Sequence, residues 1–219
     1  KEFINLAHKN DSKIMLDGCQ AIPHMKVNVK ELGCDFYAFS AHKMLGPTGV
    51  GVLYGKEDLL EKMQPYQTGG GIIKTVTMEN STWTSIPHKF EPGTPMIAQV
   101  IALSPAVDYL ENCLSNHDNQ LMDYAIEKMN SINGLSIYGH AKERTPIISF
   151  NIKNVHSLDL AHFLDFEGIT IRSGHHCCQP LMQALDISAC ARASFYFYNT
   201  FDEVDFLIEK INKAIKVIK

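Results

Sequence analysis

The chain has 219 residues, 45% of them hydrophobic and 20% charged, a composition that supports one large or two small cores and excludes disorder as the default state. The 24 acidic and 20 basic residues give a net charge of −4, without the basic excess of a nucleic-acid footprint, so nucleic acid is not an expected partner. No apolar run approaches the roughly 20 residues that cross a bilayer, and residues 1–10 lack the parts of a signal peptide; no membrane association and a cytoplasmic location are expected.

Hydrophobic periodicity and turn residues predict an α/β chain. Phe3, Ile4 and Leu6 mark the end of a helix. Ile14, Met15 and Leu16 form a short buried strand that stops at Asp17 and Gly18, and a second strand over 36–39 runs into Ser40, Ala41, His42 and Lys43. Residues 18–35 are enough for a crossover, which predicts that these two strands are parallel neighbours. A third strand over 50–54 follows a turn so short that it returns antiparallel. Gly69, Gly70 and Gly71, then Glu91 to Pro95, punctuate an irregular region.

A helix over 96–113 follows and forms a natural hinge. The remainder alternates: a helix over 119–132, strands over 135–138 and 147–152, a helix from Ser157 closed by Gly168, strands over 169–172 and 193–198, and a last helix. That helix starts with a capping box, Thr200 to Glu203, and Val204, Leu207, Ile208, Ile211 and Ile215 recur at the spacing of one buried stripe. Two domains are expected, residues 1–110 and a smaller α+β domain over 111–219.

Six cysteines, at 19, 34, 113, 177, 178 and 190, are expected to be reduced, because a chain of this length needs no staples. Cys177 and Cys178 are adjacent, and adjacent cysteines bridge each other only with strain.

Ligands of open α/β sheets sit beyond the carboxyl ends of the strands, and the predicted topology presents Asp17 and Lys43 there together. Taken singly, Asp17 reads as a helix cap and Lys43 as a surface lysine. Combined with Gln20, Ser40 and His42, they supply what a pyridoxal phosphate site uses: an amine for covalent attachment, a carboxylate for the pyridine nitrogen, and donors for the phosphate. A Walker loop is excluded, since Gly55-Lys56 is followed by Glu57 and Val50 occupies the required glycine position.

The run His175-His176-Cys177-Cys178 has a zinc site as its alternative reading. Zinc ligands usually come in pairs separated by two to four residues, and consecutive residues of an extended loop alternate in direction, so no metal is expected. Arg172, the two histidines and Gly174 instead make a basic setting for a reactive thiolate. Arg192, ahead of an apolar strand, has the planar fork that grips a substrate carboxylate; Arg172 either shares that task or orients the loop.

Residues 16–21, 34–43 and 46–51 resemble, in the same order, the cofactor segments of fold-type I, class V aminotransferase-family enzymes. The resemblance implies a large domain with a mostly parallel sheet carrying pyridoxal 5'-phosphate. There Asp17 pairs with the pyridine nitrogen, Gln20 with the ring hydroxyl, Ser40 and His42 with the phosphate, and Lys43 binds the cofactor covalently. Thr94, in Gly93-Thr94-Pro95, would reach the phosphate of a neighbouring subunit, which implies a homodimer.

In the second half, Arg172 to Cys177 resembles the thiol loop of group II, SUF-associated cysteine desulfurases and selenocysteine lyases. The segment from Arg192 to Thr200 is similar to the one that carries their substrate-carboxylate arginine. The resemblance therefore implies conversion of L-cysteine to L-alanine, with Cys177 taking the sulfur and passing it to an acceptor protein of iron–sulfur cluster assembly. A selenocysteine lyase and a non-catalytic scaffold are the alternatives. Cys178 departs from the family, which usually has alanine there. The resemblance spans almost the whole chain but only the later part of a family member, so a C-terminal fragment with exposed sheet edges is expected.

Overall fold

The computed structural model describes residues 1–141 and 144–218. They form two compact units, Lys1–Leu114 and the residues from Ser115 onward.

The first unit contains α1 (Glu2–Lys9), β1 (Met15–Asp17), α2 (Val29–Leu32), β2 (Phe36–Ser40), β3 (Gly51–Gly55), α3 (Glu57–Lys62), β4 (Ile73–Val76), β5 (Ser81–Trp83) and α4 (Ile97–Cys113). The division between units falls where α4 ends, so the whole helix stays with the first unit. β1 and β2 are parallel, with Asp17 opposite Ala38, and β3 returns antiparallel along β2, as the loop lengths require. The crossover is held by local chemistry. The Asn28 side chain accepts from the backbone N–H groups of Lys30 and Glu31 to start α2, and Gly33 closes it at φ 79°. Ile4, Cys34 and Tyr37 are buried, with Ile14, Leu16 and Ile22 against them.

One buried carboxylate ties this unit together. Asp35 is 1% exposed; its Oδ1 accepts from Lys56 Nζ at 2.9 Å, and its Oδ2 accepts from the Ile14 N–H at 2.9 Å and pairs with His8 Nε2 at 2.8 Å. Burial alone would raise the Asp35 pKa. The bonds from Lys56, Ile14 and His8 outweigh it and hold the carboxyl well below the usual range.

The stretch expected to be irregular contains a hairpin, β4 with β5. All four residues of β4 are exposed, so no alternation of apolar and polar positions announces it.

The second unit contains α5 (His117–Asn130), β6 (Leu135–Tyr138), β7 (Ile147–Ile152), α6 (Ser157–Phe166), β8 (Arg172–Gly174), α7 (Gln179–Ala184), β9 (Cys190–Ser194) and α8 (Phe201–Val217). Its sheet has the order β6-β7-β9-β8 and is antiparallel throughout. Ile148, Phe150 and Ile152 of β7 alternate inward, with Ala191 and Ala193 of β9. They form one core with Leu121 and Met129 of α5, Leu160 and Leu164 of α6, and Val204, Leu207 and Ile211 of α8. The alternation places Ile147, Ser149 and Arg192 on the opposite face of the sheet. The capping box is present, with Thr200 Oγ1 accepting from Glu203 N at 3.2 Å and Glu203 Oε2 from Thr200 N at 2.9 Å.

Two strand predictions are corrected. The strand expected over 169–172 lies at Arg172–Gly174, and the one expected over 193–198 lies at Cys190–Ser194. The pairing is fixed by Arg172 opposite Arg192 and Gly174 opposite Cys190. Apolar Ile169 and Ile171 pack on the core outside the ladder. Tyr196, Phe197 and Tyr198 leave it and contact one another edge to face at 4.8–5.6 Å. No helix among the described residues is long and apolar enough to cross a membrane.

Candidate active site

In the first unit, the ends of β1 and β2 gather three of the predicted residues. Asp17 is the last residue of β1, and its Oδ1 accepts from the Cys19 N–H at 2.9 Å. That bond holds the carboxyl below its ordinary pKa, assisted by the Cys19 side chain and by the positive charge of Lys43, against a small burial effect. Ser40 ends β2, with its Oγ 3.7 Å from Cys19 Sγ.

Lys43 follows in a single 3₁₀ turn, Ala41–Met44, whose two end residues are buried while His42 and Lys43 are exposed. The turn is fixed by Ala41 N donating to Val50 O at 3.1 Å and Gly46 N donating to Ala41 O at 2.9 Å. Gln20 lies in the turn that opens at Gly18, whose carbonyl accepts from Ala21 and Ile22. Thr94 is exposed in the segment before α4, and among the described residues no hydrogen bond ties it to this group. Cys19, to which the sequence reading gave no role, touches both Asp17 and Ser40. Only its place between Asp17 and Gln20 could have signalled that.

In the second unit, β8 delivers the thiol loop. Gly174, His176 and Cys177 have φ of 118°, 52° and 59°, so the chain turns through successive left-handed residues, a strained arrangement for non-glycine positions. Cys177 is exposed; Arg172 donates from Nη2 to its Sγ at 3.7 Å, and its own N–H donates to His175 Nδ1 at 3.2 Å. His176 donates from Nε2 to the Cys190 carbonyl at 3.0 Å, which leaves Nδ1 as an acceptor, buried and without a partner. Burial pushes the His176 pKa down, as do Arg192, Arg172 and His175, while the bond to Cys190 opposes them.

Arg192 stands directly opposite Arg172 on the ladder. Like charges so placed destabilise a sheet. Burial and then the charge of Arg172 lower the Arg192 pKa, and Arg192 Nε is buried without a partner. A cleft of about 390 Å³ opens here, lined among others by Ile147, Ser149, His176, Cys178, Met182 and Arg192. The arrangement offers an anion a cationic seat beside two cysteines. Among the described residues, no three His, Cys, Asp or Glu side chains gather as metal ligands.

Residues 1–207 match the family Aminotransferase class-V. The chain belongs to that family. This class-V chain is 48% identical over 218 residues to a probable cysteine desulfurase of Halalkalibacterium halodurans, covering 98% of this chain and 53% of that protein. To a probable cysteine desulfurase of Staphylococcus aureus it is 49% identical over 206 residues, covering 92% and 50%. Its fold matches the crystal structure of the Escherichia coli cysteine desulfurase CsdA in an S-sulfonic acid form, with a TM-score of 0.92 at 35% identity over 99% of this chain and 55% of that one. The apo cysteine desulfurase of Thermococcus onnurineus gives a TM-score of 0.92 at 34% identity over 98% and 55%. The expected α/β architecture is thus that of the fold-type I cysteine desulfurases, and the chain spans about half the length of the relatives it matches.

Proposed function

We propose that the complete protein is a pyridoxal-phosphate-dependent cysteine desulfurase. It converts L-cysteine to L-alanine and leaves the sulfur on Cys177 as a persulfide for an acceptor protein of iron–sulfur assembly; it works as a homodimer in the cytoplasm. The observation that carries this reading is the setting of Cys177: exposed on a tight loop, with a guanidinium 3.7 Å from its sulfur and Arg192 across the ladder. Similarity to cysteine desulfurases along nearly the whole chain supports it.

When bound, pyridoxal phosphate would supply an electron-accepting ring. The residues of the first unit fit that group, because an ionised carboxylate and an exposed lysine amine come together beyond two parallel strands. Asp17 would hold a proton on the ring nitrogen, Gln20 would bond the ring hydroxyl, and Ser40 and His42 would hold the phosphate. Thr94 contributes to the phosphate site of the neighbouring subunit. Lys43 would anchor the cofactor and hold the proton taken from the substrate Cα.

Arg192 receives the substrate carboxylate, and Arg172 faces the attacking sulfur. The Cys177 thiolate attacks the sulfur of the substrate; the S–S bond forms, the C–S bond breaks, and its electron pair stays with the carbon fragment, which is protonated to alanine.

The test is release of alanine and sulfide from L-cysteine with a reductant present. Lys43→Ala is expected to lose the visible absorbance of the bound cofactor and all activity. Cys177→Ser keeps the absorbance and loses roughly 80% or more of the rate. A complete, cofactor-loaded wild-type protein that forms neither product overturns the proposal.

A further inference from the structure

We propose that Cys178 is a second sulfur acceptor, in the cleft it shares with Arg192. The proposal rests on the desulfurase reading and asks where within the thiol loop the sulfur lands.

The two adjacent thiols meet different surroundings. Cys177 lies against Arg172, whereas Cys178 lines the cleft with Arg192, His176, Ser149, Ile147 and Met182. The backbone explains the separation. His176 and Cys177 are both left-handed, at φ 52° and 59°, while Cys178 returns to φ −137°, so neighbouring side chains leave the loop in different directions. Cys178 is also well anchored. Its N–H donates to His175 O at 2.9 Å, and its carbonyl accepts from Leu181 N at 3.1 Å and Met182 N at 3.2 Å.

The cleft itself points to a ligand. Arg192 Nε and His176 Nδ1 are buried without partners, and both residues line it. An amino acid whose carboxylate sits on Arg192 carries its sulfur only a few bonds away, on the side chain. A sulfur held there is delivered to the cleft wall, and Cys178 is part of that wall.

Other roles fit less well. A buried packing role disagrees with the exposure of Cys178, and a bond to Cys177 would close a strained ring between neighbours. In the proposed step, exposed Cys178 loses its thiol proton to solvent and its thiolate attacks the substrate sulfur. An S–S bond forms, the C–S bond breaks, and the electron pair leaves with the carbon fragment, which becomes alanine, as for Cys177.

The test uses the complete, cofactor-loaded protein as wild type, Cys177→Ser, Cys178→Ser and the double variant. Alanine release is measured, and peptides are mapped by mass after a turnover without reductant. Cys177→Ser is expected to retain alanine release at about one tenth of wild type, above the double variant, with one added sulfur atom on Cys178. Wild type is expected to carry added sulfur on Cys178 in a fraction of molecules, a measurement that stands even if a variant fails to fold. An active wild type with no added sulfur on Cys178, and a loaded Cys177→Ser no better than the double variant, overturn the proposal. A loaded wild type that forms no alanine refutes the desulfurase reading instead.

Discussion

Gly18 occupies a place where no side chain fits. A Cβ built on it would lie 2.1 Å from the ring of Tyr37, which is buried in the first unit's core. Either the ring or the turn after Asp17 must therefore move in Gly18→Ala. The expected result is a loss of about 1–3 kcal/mol, read as a lower urea midpoint, and, on the proposed role of Asp17, weaker cofactor binding because its turn shifts. The placement of Asp17 and Lys43 beyond neighbouring strand ends, and of Cys177 beside Arg172, was legible in the sequence from the order of the segments. The contact of Cys19 with Asp17 and Ser40, and the separate surroundings of Cys177 and Cys178, were not. They depend on backbone dihedrals and on pairing across strands, which spacing along the chain does not encode.

Helix α8 shows how far local rules reach. Its capping box and its buried stripe of Val204, Leu207 and Ile211 stand as the periodicity predicts, since both depend on neighbours within a turn or two. Thr200→Ala removes the acceptor for the Glu203 N–H and is expected to lower stability by about 1 kcal/mol, with the core and the thiol loop unchanged. A shift of the denaturation midpoint with an unaltered slope checks this. The parallel pair β1 and β2 was legible for a similar reason, as its connection is long enough for a crossover. Strands β8 and β9 were displaced from their predicted places because apolar residues on either side, Ile169 and Ile171 or Phe195 to Tyr198, mimic strand composition. The ladder itself holds small and polar residues. Short α7 and the exposed hairpin β4–β5 lack a buried face long enough to give a period.

At the scale of the molecule, the first unit depends on Asp35, which joins α1, the approach to β1 and Lys56 beyond β3. The carboxyl has a lower pKa folded than unfolded, so its contribution is fully present above the ordinary carboxylate value. It is lost as the pH falls through the folded value. Wild type should exceed Asp35→Asn in stability by about 3 kcal/mol at neutral pH, because the variant leaves Lys56 short of its counter-charge. The gap should hold down to about pH 5 and shrink in stronger acid; urea unfolding of both proteins across pH 2–7 checks it, and a gap that does not change with pH disproves the assignment.

The first unit also leaves Leu53 54% and Ile101 68% exposed.

The pairing of Arg172 with Arg192 across the ladder has a practical consequence. A small oxyanion bound beside them is expected to relieve their repulsion, so sulfate or phosphate should stabilise the second unit. The stability gained in phosphate over chloride should shrink when either arginine is replaced.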